Sequence, residues 1–82
     1  MIIEVSRHAI SAGIRSSPMN CPVALALSKY LGKTISVEPF EGEFCWREAY
    51  SATKHRLPKE AVDFIRAFDA GKDVAPITFD VC

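Results

Sequence analysis

The sequence predicts an α+β domain, a single two-layer sandwich in the order β-α-α-β-β-α-β, with helices on one face of a mainly antiparallel sheet. Three observations carry this reading. Alternating runs stand near both ends and in the middle of the chain, at residues 2–5, 34–38, 44–50 and 77–81. Two longer helical segments lie between them, one bounded by Pro22 and Gly32, the other by Pro58 and Gly71. No linker, repeat or low-complexity stretch divides the 82 residues, which therefore form one domain, 1–82.

Each element has a local reason. Ile2 to Val5 alternates as a short strand, and Ser6 is an N-cap for a short helix, Arg7 to Ala12, which Gly13 is expected to end in a left-handed conformation. Residues 14–20 are rich in turn formers and have no period, so they form a loop. Asn20 or Cys21 caps the second helix, with Pro22 in its first turn and Gly32 at its stop. That segment, Pro22 to Leu31, is apolar on nearly every side and belongs at the centre of the fold.

Thr34 to Glu38 is a half-buried strand whose pairing Pro39 should limit, and Glu41-Gly42-Glu43 is a turn. Phe44 to Tyr50 is the second arm of the hairpin, with Phe44, Trp46 and Tyr50 on one face, and Ser51 to Arg56 reads as a loop. Pro58 opens the most regular helix, in which Ala61, Phe64, Ile65 and Phe68 form a stripe and Lys59, Glu60, Asp63 and Arg66 take the other side. Ile77 to Val81 closes the chain as a strand. The expected core is Leu25, Leu27, Phe64, Ile65 and Phe68 against Ile35, Val37, Ile77 and Phe79.

Composition narrows the function classes. Hydrophobic residues make up 49% of the chain, ample for one core and enough to suggest that a second copy covers some apolar surface. A two-fold dimer is therefore expected, using the hairpin edge if it stays unpaired. Ten basic residues balance ten acidic ones. A protein gripping nucleic acid through phosphates carries a basic surplus, so that role is disfavoured. Cys21, Cys45 and Cys82 form no CxxC motif and no disulfide framework. No apolar stretch is long enough for a membrane span, and Met1 to Val5 does not read as a leader. A cytoplasmic protein with reduced thiols is the expectation.

Two segments could carry binding chemistry. In the first, Arg15, Ser16, Ser17 and Asn20 precede the central helix, whose free N–H groups and dipole favour an anion, and Arg15 could add a bidentate contact. The same serines and Asn20 serve equally as turn formers and caps. In the second, Trp46 and Tyr50 stand close in sequence to Arg47, Lys54, His55 and Arg56, an arrangement that can stack a nucleobase and hold phosphates. Here the alternative is a core of aromatics beside a solvated loop. Cys21 lies at a helix terminus that would favour a thiolate, but no acid is placed to orient His8 or His55. A packed core cysteine is the simpler reading. The Cys and His spacings match no zinc pattern, and no Walker or dinucleotide motif is present. The chain is thus read as a non-enzyme without metal or cofactor.

Two blocks carry a resemblance. His8-Ala9-Ile10 with Gly13 and the run Cys21-Pro22-Val23-Ala24-Leu25-Ala26-Leu27 form the first. Leu57-Pro58, Phe64-Ile65, Phe68-Asp69, Gly71, Val74, Pro76 and Phe79 form the second. Together they resemble a group of small proteins found widely in bacteriophage and prophage genomes, to which no activity is attached. The resemblance implies a phage accessory protein in the cytoplasm of a bacterial host. Such proteins act by binding, so the expected partner is a phosphate-bearing small molecule, a nucleotide-like signal of host defence that is sequestered. The alternative is an inhibitor docking directly on a host defence protein, and a small cysteine-dependent enzyme is a third reading.

Overall fold

Alternation at the two ends of the chain makes them partners. In the computed structural model, which describes residues 1–81, strand β1 (Ile2–Val5) pairs antiparallel with β5 (Ile77–Asp80), Ile3 opposite Phe79 and Val5 opposite Ile77. This register turns Ile3, Val5 and Phe79 inward and leaves Ile2, Glu4, Thr78 and Asp80 outside. The N-terminal ammonium fixes the ribbon's end by an ion pair with Asp80 at 2.8 Å.

Helix α1 (Arg7–Ala12) starts where Ser6 Oγ accepts the Ala9 N–H at 3.2 Å. Gly13 does not end it left-handed: its φ is −71° and its backbone extended. The glycine answers to space, because a Cβ there would lie 2.5 Å from Cγ of Pro22. Helix α2 (Pro22–Leu31) is capped by Cys21, whose Sγ accepts the Ala24 N–H, and ends at Gly32 with φ 66°.

Strand β2 (Ile35–Phe40) pairs with β3 (Glu43–Glu48) through a two-residue turn, Glu41 and Gly42, both at positive φ. Pro39 does not shorten β2. The N–H groups of Ile35 and Val37 point away from β3, to Ser28 Oγ and the Pro18 carbonyl. Pro39 falls on that same outer side, so the N–H it lacks would have met no ladder partner. On the outer edge of β2, two N–H groups are thereby satisfied within the chain and Pro39 has none to offer.

The 51–56 segment contains structure that its polarity hides. His55–Arg56 forms a short strand, β4, against Cys45 and Trp46. Instead of one sheet there are two antiparallel ones, β1–β5 and β2–β3–β4. The α+β class stands, with three helices and a shared core. Helix α3 (Lys59–Asp69) buries Ala61, Val62, Phe64 and Ile65 and half-buries Phe68. Of the expected core, Leu27, Ile35, Val37, Phe64, Ile65 and Phe79 are buried, whereas Leu25, Phe68 and Ile77 are partly covered.

A glycine turns the chain at the end of α3. Gly71 N–H bonds to the Phe68 carbonyl and Lys72 N–H to the Ala67 carbonyl, with Gly71 at φ 82°. This is a Schellman stop, and it sends the chain back across the end of α1. There Arg7 Nη1 donates to the Val74 carbonyl at 3.2 Å. No described helix is long and apolar enough to cross a membrane.

Candidate functional site

The loop before α2 is tied down by its own backbone. Ile14 N–H donates to the Asn20 carbonyl at 2.8 Å, Cys21 N–H to Ser17 at 3.1 Å, and the Pro18 carbonyl accepts from Val37 at 2.7 Å. Ser16 sits at φ 55°, and its N–H donates to the Asp69 carboxylate at 2.9 Å. A donor read from the sequence as open to an anion is thus already held by a carboxylate, which repels a second anion. With Cys21 capping Ala24, the start of α2 is satisfied from within. The Asn20 side chain makes a long contact, 3.4 Å, to Ser17 Oγ.

Cys21 behaves as a core residue. Burial pushes its thiol above the usual pKa, outweighing the N–H groups of Ala24 and Val23 that pull the other way. It therefore stays protonated at neutral pH. The small apolar cleft it lines, about 150 Å³, includes Asp69 but neither His8 nor His55.

In the second segment most of the charges and aromatics are already paired. Arg47 grips Glu38 with two parallel bonds, Nε to Oε1 at 3.0 Å and Nη2 to Oε2 at 3.1 Å. Its remaining nitrogen, Nη1, reaches the carbonyls of Glu48, Ala49 and Ser51, closing the turn after β3. The Arg47 hydrogen bonds hold the Glu38 carboxyl below the usual range, and Glu38 in turn raises Arg47. Arg56 pairs with Glu43 at 2.9 Å and Glu41 at 3.7 Å, and Lys54 lies over the Phe40 ring at 4.5 Å. Trp46 is buried, with the His55 ring stacked on it at 4.4 Å. Tyr50 lies beyond the end of β3, fully exposed.

The ten candidate residues do not converge on one pocket. Ser17 and Asn20 meet Arg47 in a shallow depression, where the guanidinium is already committed to Glu38 and the turn carbonyls. Trp46, His55 and Arg56 line another depression, next to Asp80. Arg15 leaves both groups. Its guanidinium carbon lies 3.5 Å from where Gly71 would carry a Cβ, over the α3 stop.

There Arg15 joins two residues that sequence reasoning missed, Arg7 and Lys72. The three cations line one open cleft of about 580 Å³ between α1, the residue-15 loop and the α3–β5 connection. Ile10, Phe68 and Val74 line the same cleft, and Asp73 is its one carboxylate. Among the described residues, none of the three cations forms an ion pair. Some signal did exist in the sequence. Arg7 follows a capping serine and Lys72 follows the glycine of a helix stop, two positions whose direction the backbone fixes.

No group of His, Cys, Asp and Glu among the described residues is arranged to hold a metal. Compared with known family models, curated proteins and solved structures, the chain matches none of them.

Proposed function

We propose that this protein binds a phosphate-bearing small molecule in the cleft of Arg7, Arg15 and Lys72. The observation that carries the reading is the convergence of three cations from three separate segments, with no described carboxylate paired to any of them. Three cations against the single carboxylate of Asp73 leave a positive surplus in the cleft, whose mutual repulsion a bound anion relieves. The cleft's size lies within the range of small-molecule sites. Two guanidinium forks offer the planar donor geometry that phosphate oxygens accept.

Joined to the bacteriophage resemblance, the proposal becomes a sequestering protein that captures a nucleotide-like signal of host defence. Such a role needs cations and a cleft and needs no nucleophile. The test is calorimetry with inorganic phosphate, sugar phosphates and a panel of linear and cyclic nucleotides. Arg15→Ala is expected to weaken binding at least tenfold, about 1.4 kcal/mol. Because Arg15 is exposed and unpaired among the described residues, the melting temperature of the free protein should hardly move. If no phosphate compound binds, or Arg15→Ala binds like the parent, the reading fails and docking on a host protein replaces it.

A further inference from the structure

The cleft has a second chemistry besides its charge. Ile10, Phe68 and Val74 are partly buried, each packed against the core while also lining the cleft. The Phe68 ring is held parallel to that of Phe64, with centroids 6.3 Å apart and planes 4° apart, so its orientation is supported from within α3. An anion-binding site for inorganic phosphate alone has no use for such a lining. Apolar surface kept in contact with water between cations is a standing cost that an apolar ligand group relieves.

Charge sets the other half of the ligand. The three cations face one carboxylate, Asp73, which leaves a surplus of two positive charges. A phosphomonoester carries about −1.5 to −2 at neutral pH, which matches that surplus. We infer that the ligand is a phosphomonoester dianion attached to a flat apolar ring, a nucleoside-monophosphate type of molecule. Its phosphate lies among Arg7, Arg15 and Lys72, and its ring rests on Phe68, Ile10 and Val74. This rests on the proposed anion site and adds the identity of the group beyond the phosphate. It also moves the stacking platform from Trp46 and Tyr50, where the sequence suggested it, to α3.

The experiment compares adenosine 5′-monophosphate with ribose 5-phosphate, which has the same charged end and no base, by calorimetry on the parent chain. The nucleotide is expected to bind about tenfold tighter or better, in line with the value of one stacked base. Phe68→Leu should bring the nucleotide down towards the sugar phosphate while the sugar phosphate's own affinity stays within about twofold. Val74→Thr, close in shape but more polar, should act in the same direction and serves if Phe68→Leu fails to fold. Equal affinity of the two compounds for the parent overturns the inference and leaves the anion site standing. Binding of neither overturns the anion site as well.

Discussion

Two regions of this molecule hold most of its basic residues, and they use them in opposite ways. The hairpin region carries Arg47, Lys54, His55 and Arg56 within ten residues of sequence, and each is engaged with a carboxylate, a carbonyl or a ring. The cleft region draws Arg7, Arg15 and Lys72 from distant parts of the chain; Arg7 gives one nitrogen to the Val74 carbonyl, and none of the three meets a described carboxylate partner. Local density of charge marks the first region and spatial convergence marks the second. A binding site for an anion requires cations whose charge is not already met by a carboxylate, so the ion-pairing state of a cation is a better guide than its neighbours in sequence.

The largest expected effect lies beneath both regions. Helix α2 packs against β1 and β2, and its Leu27 is fully buried. Leu27→Ala should cost about 2–5 kcal/mol in chemical denaturation. A change near zero would mean that the two regions do not share a core. Next comes Arg47→Ala, which strips the hairpin of both bonds to Glu38 and those closing the turn to Ser51. It should lower the melting temperature clearly and leave phosphate binding in the cleft unchanged. Arg15→Ala should do the reverse. If both variants changed the same quantity, the division between structural and binding cations would collapse.

How much of this was legible in the sequence differs between fold and site. The three helices and four of the five strands follow from period and punctuation, and Gly32, Gly71 and Pro22 act where they stand, whereas β4, two polar residues held by pairing to β3, leaves no such pattern. Pro39 misled because its effect depends on which edge its nitrogen faces, a fact of pairing and not of composition. Gly13 misled because a glycine chosen for space looks identical to one chosen for conformation. The site was harder. Arg15 could be singled out from its loop, but its companions lie 8 residues before it and 57 after it, and only the Schellman stop of α3 brings Lys72 to it. Arg47 looked available because the sequence cannot show that Glu38 lies within reach across the hairpin.

The smallest effect separates the two regions by pH. Glu38 has its carboxyl pulled down by Arg47, so its folded pKa lies below the unfolded value of about 4.3. Above that unfolded value both states are ionised and the stabilisation is complete. As pH falls through it, the unfolded chain binds a proton first, and stability drains away until the folded pKa is passed. Arg47 stays charged throughout, so the loss belongs to Glu38. Glu38→Gln should therefore melt below the parent at neutral pH, with the gap narrowing in acid. Taking the difference between the two proteins cancels the slopes of the other carboxylates. Binding in the cleft should weaken earlier, as a phosphomonoester takes up its proton near pH 6, where Glu38 is still ionised. Melting curves and calorimetry on the same samples from about pH 3 to 8 would see both events, bracketing the relevant pKa values. A gap between parent and Glu38→Gln that stays constant down the whole range would show that the ion pair does not support the hairpin, and its cations would have to be counted again as candidates for a ligand.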